Sequence, residues 1–149
     1  MESKVNEIKI SYKQRIKSDK WCQLKCSSDT AKFIFEHWDK NTIGIHESFK
    51  ILLLNNANKV KGIYQVSSGG ITGTIVDLRL LFAVVLKSLA TGVLLVHNHP
   101  SGTLKASLAD IQLTRKIKNA AELFDIRIID HLIITPSGAY YSFADNSIL

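Results

Sequence analysis

Apolar and polar residues are distributed along this chain in patterns that predict a mixture of strands and helices. Five segments have the pattern of strands of the predicted sheet: 51–54, 60–67, 93–96, 126–135 and 139–143. Of these, 51–54, 93–96 and 126–135 are mostly apolar runs. Runs rich in Val, Ile and Leu indicate strands that are buried on both faces, and turn-forming residues separate them from their neighbours. His131 interrupts the fourth segment and is predicted to be a structural or rim residue rather than a ligand.

The remaining apolar residues have the 3.6-residue spacing of amphipathic helices. One helix is predicted over 31–38, and a second from Thr74 or Ile75 to Ala90, with Gly92 as its C-terminal stop. The second helix is apolar nearly all round, which favours a central position or a contact with a second copy in a homodimer. Because helices and strands alternate, the predicted fold is α/β, with a mixed central sheet of parallel and antiparallel strands flanked by helices.

Two histidines stand at the end of the buried run 93–96. Because alternate side chains of a strand point to the same face, His97 and His99 are predicted to face one way and Asn98 the other. Pro100 cannot donate a ladder hydrogen bond, so the chain should leave the sheet there. The carboxyl end of a buried strand is where α/β proteins usually build a site.

A carboxylate follows at the start of a third predicted helix, whose apolar face includes Leu113, Ile117 and Phe124. Ser107 and Asp110 lie three residues apart at the start of this helix, and so on adjacent turns of one helix face. If the loop folds back, Asp110 reaches the two histidines, and this donor set leaves one position of a tetrahedral Zn²⁺ open for water. A Ser-x-x-Asp sequence before an apolar run is also a capping box, which needs no metal.

The segment 97–102, followed by Ser107 and Asp110, resembles the JAMM motif of the JAB/MPN metalloproteases. Within that superfamily, Asn98 and the Ser-Gly pair at 101–102 resemble the RadC-like branch. Other stretches that match this branch are 47–55, 68–70 and 125–131. The similarity covers most of the chain, from about 28 to 143. Ala106 departs from the pattern, because relatives often carry Pro before this serine.

The resemblance implies the JAB/MPN fold, related to the cytidine-deaminase-like class, and a zinc-dependent hydrolase that cleaves amide bonds of a peptide or protein. It implies His97, His99 and Asp110 as ligands of Zn²⁺. Glu47 would be the base that takes a proton from the attacking water, and Ser107 would donate a hydrogen bond to the oxyanion. RadC-like relatives also carry a DNA-repair label, so the alternative is a non-catalytic module associated with DNA.

A zinc deaminase is the natural competitor within this fold class, and the sequence argues against it. Zinc deaminases combine His-x-Glu with a later Pro-Cys-x-x-Cys. Here the residue two positions after His97 is His99, and no cysteine follows Cys26.

The chain has 149 residues and a net charge of +6, and we expect one domain over 1–149. No apolar run approaches the ~18 residues of a membrane span. The first residues lack a hydrophobic signal region, so a cytoplasmic protein is expected. Cys22 and Cys26 have no partner pair at zinc-finger spacing and are expected to be reduced thiols.

The positive charge is concentrated in a basic N-terminal arm at about 1–25, where seven Lys and Arg residues oppose three acidic ones. Such an arm attracts polyanions, including DNA, although a basic run is more often a solvated face. Ile8, Ile10 and Tyr12 alternate with polar residues, which predicts a half-buried edge strand. Trp21 and Tyr12 are nearby aromatic residues of the kind that stack on bases, but two aromatics alone are weak evidence for this.

Overall fold

Five strands form one mixed sheet in the computed structural model of the chain, which describes residues 4–9, 11–70 and 75–149. The strands are β1 (Ser48–Leu54), β2 (Val60–Ser68), β3 (Gly92–Asn98), β4 (Arg127–Ile134) and β5 (Tyr140–Ser142). The helices are α1 (Ser27–Glu36), α2 (Leu78–Lys87) and α3 (Leu108–Glu122), and a 3-10 turn covers Ser18–Lys20.

The strand order is β2-β1-β3-β4-β5, which places β3 at the centre of the sheet. β1 runs antiparallel to both β2 and β3, β3 runs parallel to β4, and β5 returns antiparallel to β4. The parallel pair is joined by α3, as a crossover connection requires. The predicted mixed sheet is therefore confirmed, and the carboxyl end of β3 feeds directly into the loop before α3.

Helices cover both faces of the sheet, each over its own apolar cluster. On one face, Phe49 and Leu95 pack with residues of α2 and α3 such as Leu81 and Ile117. On the other face, the cluster is built from α1 and from the alternate residues of the same strands: Ile34, Leu52, Leu94, Leu132 and others. The alternation of a strand thus sends neighbouring side chains to two different layers. The two layers together bury β3 along its whole length.

The helix α2 is shorter than predicted. It begins at Leu78 because the side chain of Asp77 accepts a hydrogen bond from the backbone N–H of Arg79, which caps the helix. It ends at Lys87, and Leu89 then takes the left-handed conformation at φ 53° that a C-terminal glycine often adopts. Gly92, predicted as the stop, is instead the first residue of β3. Thr74 lies outside the described residues.

The predicted edge strand in the basic arm is wrong for the residues described there. Ile8 and Tyr12 belong to no strand and are 88% and 38% exposed, while Ile10 lies outside the described residues. The start of β2 is bridged instead by the segment around Cys22, whose carbonyl accepts a hydrogen bond from the N–H of Val60 at 2.9 Å. Alternation of polar and apolar residues does not by itself make a strand, because burial of one face and pairing with a neighbouring strand are needed as well.

The apolar surface of α2 is only partly buried within the chain. Leu81 and Val85 are fully buried, whereas Leu80 and Leu86 are 42% and 43% exposed. A homodimer formed through this half-exposed face stays a prediction. Within the described parts of the chain, no helix is both long and apolar enough to cross a lipid bilayer.

Replacing Leu95 by Ala should lower the free energy of unfolding by about 2–5 kcal/mol, because the deleted methyl groups leave a cavity in the apolar cluster under α2 and α3. Leu95 is fully buried at the centre of β3. Urea denaturation measures the loss, and Leu123→Ala at an 83% exposed position is the matched control. The control should change stability by less than about 0.5 kcal/mol. Equal losses in the two variants would show that β3 is not the core strand.

Candidate metal centre

Two histidines and an aspartate converge where β3 ends and α3 begins. His97 is the last but one residue of β3 and is buried, and His99 follows one residue beyond the strand. The Nε2 atoms of the two rings lie 3.0 Å apart. The carboxylate of Asp110 lies 3.4 Å from the Nε2 atom of His97 and 3.8 Å from that of His99. As predicted from strand alternation, the two rings face one way and Asn98 faces the other.

The first turn of α3 holds Asp110 through a complete capping box. The N–H of Asp110 donates to the Oγ atom of Ser107 at 3.0 Å, and the N–H of Ser107 donates to the Oδ2 atom of Asp110 at 2.8 Å. The same carboxylate still faces both histidines. The helix-cap interpretation and the ligand interpretation therefore describe one arrangement, because the cap fixes the rotamer that points the carboxylate at the imidazoles.

A hydrogen-bonded chain behind His97 determines which of its ring nitrogens is free. The hydroxyl of Thr114 donates to the backbone carbonyl of Asp110 at 2.7 Å, so its oxygen accepts from the Nδ1–H of His131 at 2.6 Å. His131 Nε2 then accepts from the Nδ1–H of His97 at 2.8 Å. A neutral imidazole carries one hydrogen, so the Nε2 atom of His97 keeps its lone pair and points at the other two donors.

His99 is fixed in the same tautomer by the turn that follows it. Its Nδ1–H donates to the carbonyl of Thr103 at 2.7 Å, which leaves Nε2 free. The turn depends on Gly102, which has φ 83° and whose N–H donates to the carbonyl of His99 at 3.0 Å. A side chain at that left-handed position would strain the turn.

The donor set fits a divalent metal ion. One ligand atom from each of His97, His99 and Asp110 lies within 4.8 Å of the other two. Two imidazole lone pairs that face each other at 3.0 Å repel unless a proton or a metal cation lies between them. Three such ligands leave a fourth tetrahedral position for water, which is the pattern of catalytic rather than structural zinc.

The charges around these ligands are consistent with a cation. Burial alone would raise the pKa of Asp110, but the cationic form of His97, which donates from Nε2 to the carboxylate and attracts it, and the hydrogen bonds from Ser107 hold that pKa well below the usual value. The neutral form of His97 described above, with Nε2 free, is the one that would bind a metal cation in place of that proton. Burial, followed by the nearby His97, lowers the pKa of His131 well below its usual value. An ionised carboxylate thus faces the site, and a neutral imidazole stands behind it.

The candidate ligands open on a cavity of about 570 Å³, and the two predicted catalytic side chains line the same cavity. Glu47 precedes β1 and is half-buried, and its backbone carbonyl accepts a hydrogen bond from the N–H of Gly69 at the end of β2. Ser107 is exposed and lines the same cavity. The five residues singled out in the sequence are thereby brought around one space, while the roles of Glu47 and Ser107 stay predictions.

Two residues behind the ligands were not assigned a role at the site from the sequence. His131 is fully buried between His97 and Thr114, so it is structural and does not lie on the rim. Thr114 has a weak signal in the sequence, because it stands four residues after Asp110 and so on the same face of α3. The pairing of His131 with His97 has no such signal, because it joins two strands through a crossover.

The mixed sheet and the histidine–aspartate group at the end of its central strand are the arrangement expected of a JAB/MPN domain. The family model described as a RadC-like JAB domain matches residues 24–148, and the chain belongs to this family. It is 57% identical over 103 residues to a UPF0758 protein of Flavobacterium johnsoniae, and 45% and 42% identical over the same length to UPF0758 proteins of Porphyromonas gingivalis and Pelobacter propionicus. These alignments cover 69% of this chain and 44–45% of each relative, so the chain spans less than half of their length.

Replacing Thr114 by Val should weaken zinc binding by roughly 10- to 100-fold, the usual effect of losing a group that orients a metal-ligating histidine. The substitution keeps the shape of the side chain but removes the hydroxyl that holds His131 in its tautomer. Competition with a chromophoric zinc chelator measures the affinity. Thr91→Val is the matched control, because the Thr91 hydroxyl lies at the far end of β3 and has no hydrogen-bond partner among the described residues. If both variants bind zinc like the unmodified protein, the chain of hydrogen bonds does not tune the ligand.

Proposed function

We propose that this domain is a zinc-dependent hydrolase of JAMM type, a metallopeptidase or isopeptidase that cleaves an amide bond. The observation that carries the proposal is the convergence of His97, His99 and Asp110, with both imidazoles held in the tautomer that leaves Nε2 free. Membership of the RadC-like JAB family supports the same class of reaction. The cavity in front of the ligands has the size of a site for a small segment of a substrate.

In this proposal each side chain has a separate task. Zn²⁺ held by His97, His99 and Asp110 would lower the pKa of a water to about 7. Glu47 would take the proton from the attacking water and deliver it to the leaving nitrogen, which general acid–base catalysis requires. The Oγ atom of Ser107 already accepts from Asp110, so its hydroxyl hydrogen is free to bind the developing oxyanion. Such a donor contributes about 3 kcal/mol to the rate in comparable sites.

Two substitutions separate metal binding from catalysis. His99→Ala should remove the bound zinc, because it deletes one of three ligands. Glu47→Gln should keep one zinc per chain but lower the hydrolysis rate by about 10²- to 10⁴-fold, because Gln cannot accept the proton. Elemental analysis measures zinc, and a fluorescence-quenched peptide library measures hydrolysis.

Glu36→Gln is the control for both measurements, because Glu36 is exposed on α1, away from the cavity. Full zinc content in the His99→Ala variant would remove the proposed metal centre. Unchanged hydrolysis by the Glu47→Gln variant would assign the base to another residue.

A groove of about 450 Å³ lies between the basic arm, α1 and β2. It favours a second candidate function, which is the binding of single-stranded nucleic acid by the arm. The described residues that line the groove include four cations and no carboxylate, together with aromatic rings: Lys13, Arg15, Lys20, Lys61, Tyr12, Trp21, Phe33 and His37. Basic side chains contact the phosphates of a strand, and aromatic rings stack on its bases. This function does not need the metal centre and is compatible with it.

The salt dependence of binding tests this second function. A single-stranded DNA oligonucleotide should bind at low salt, and the triple variant Lys13→Gln, Arg15→Gln, Lys20→Gln should bind more weakly. Its slope of log affinity against log salt should be smaller by about 2, from roughly 0.7 for each lost phosphate contact. The control replaces three cations of α3, at 115, 116 and 118, by Gln. Equal losses of DNA affinity in the two triple variants, or no DNA binding at low salt, would contradict the proposal that this groove binds nucleic acid.

A further inference from the structure

The side chain of Asn98 is fully buried on the face of the sheet opposite the metal ligands. Its Oδ1 atom accepts a hydrogen bond from the N–H of Ser48 at 2.7 Å. Its Nδ2 group donates to the carbonyl of Ile43 at 2.7 Å and to the carbonyl of His46 at 2.9 Å. All the polar atoms of this amide are therefore used, and its partners belong to the segment that leads into β1 and to the first residue of β1.

Two of these partners are the residues on either side of Glu47. The backbone is held at the carbonyl before Glu47 and at the N–H after it, and the carbonyl of Glu47 itself is held by Gly69 at 2.8 Å. The β1–β3 pairing begins at Phe49, opposite His97, so Ser48 lies just beyond the last paired residue. The Asn98 side chain continues the contact between the two strands at that point.

The chemistry of these contacts selects asparagine. One acceptor and two N–H donors are needed at once, and the amide of Asn offers them on a short side chain. An Asp at this position would direct a carboxylate oxygen at two carbonyl oxygens, and a Ser could make only part of the set. Reversing the amide would create the same clash of acceptors, so the hydrogen bonds also determine its orientation.

We propose that Asn98 is a positioning residue that holds the Glu47 backbone in a fixed place relative to the metal ligands His97 and His99. Because Asn98 lies between the two histidines in the chain, any displacement of the end of β3 moves the candidate ligands and the Glu47 segment together. This inference rests on the proposed function, in which Glu47 handles the proton of the attacking water. Catalysis is sensitive to displacements of about 1 Å, which cost on the order of 10²-fold in rate.

The test is a double-mutant cycle between Asn98→Ala and Glu47→Gln in the zinc-loaded protein. Asn98→Ala should keep one zinc per chain and lower kcat at least 10-fold, with KM changed less than about 3-fold. In the Glu47→Gln background the same substitution should have no further effect, because residues that act through one another are not additive. A general loss of structure would lower the rate by the same factor in both backgrounds.

Asn55→Ala is the matched control. Asn55 is also an asparagine whose Oδ1 atom accepts two backbone hydrogen bonds, but in the loop at the other end of β1. It should lower stability without changing kcat. Asn98→Ser, which keeps one polar atom, replaces Asn98→Ala if the latter does not fold. Additive effects in the cycle, or an unchanged kcat for a folded Asn98 variant, would overturn the proposal.

Hydrogen exchange gives a readout that does not depend on activity. In the Asn98 variants, peptides covering 43–48 should exchange faster, while peptides covering the core of β3 at 93–96 should keep their protection. Unchanged exchange at 43–48 would overturn the proposal even if the protein were not a hydrolase. Conversely, faster exchange in the Asn98 variants combined with an inactive unmodified protein would support the positioning role of Asn98 and contradict the proposed function alone.

Discussion

The hydrogen bond between His97 and His131 is the interaction on which the candidate metal centre depends. It joins two buried imidazoles at 2.8 Å, and both would lose a partner if either ring turned. A buried ring nitrogen without a hydrogen-bond partner is costly. The chain from Thr114 through His131 to His97 therefore has one arrangement of hydrogens that gives every member a partner. That arrangement leaves a lone pair of His97 directed at His99 and Asp110. Hydrogen bonds of the fold alone are therefore enough to orient this candidate ligand.

This contact exists because of a register shift in the pairing of β3 with β4. Val93 is opposite Ile128, but the next pair is Leu94 with Asp130, so Ile129 is an extra residue on β4. One extra residue exchanges the two faces of everything that follows it. His131 is thereby placed beside Leu95 on the face of α3, and Asp130 on the other face, where it accepts from the hydroxyl of Ser142 at 2.5 Å. Without the shift, Asp130 would point toward the candidate metal ligands and His131 would point away from them.

The sequence predicted the parts of the site that depend on local order, and it did not predict those that depend on this shift. Alternation along one strand was enough to place His97 and His99 on one face, and the spacing of Ser107 and Asp110 was enough to predict a helix start. The role of His131 requires knowing that β4 contains an extra residue, which periodicity along a single segment does not reveal. The end of α2 was misplaced for a related reason. Leu89 adopts a conformation usually left to glycine, so the composition of the segment carried no signal that the helix had ended.

The position of Asp110 shows how the helix and the candidate ligand set depend on each other. Its carboxylate lies at the N-terminus of α3, where the helix dipole and the N–H of Ser107 favour a negative charge. The next turn of α3 carries Thr114, whose hydroxyl donates to the carbonyl of Asp110 and whose oxygen accepts a hydrogen bond from His131. The first two turns of α3 therefore supply one candidate ligand directly and set the tautomer of another, His97, through His131. Movement of α3 away from the sheet would disturb both at once, so the metal affinity of this domain should depend on how firmly the first turns of α3 are held against β3 and β4.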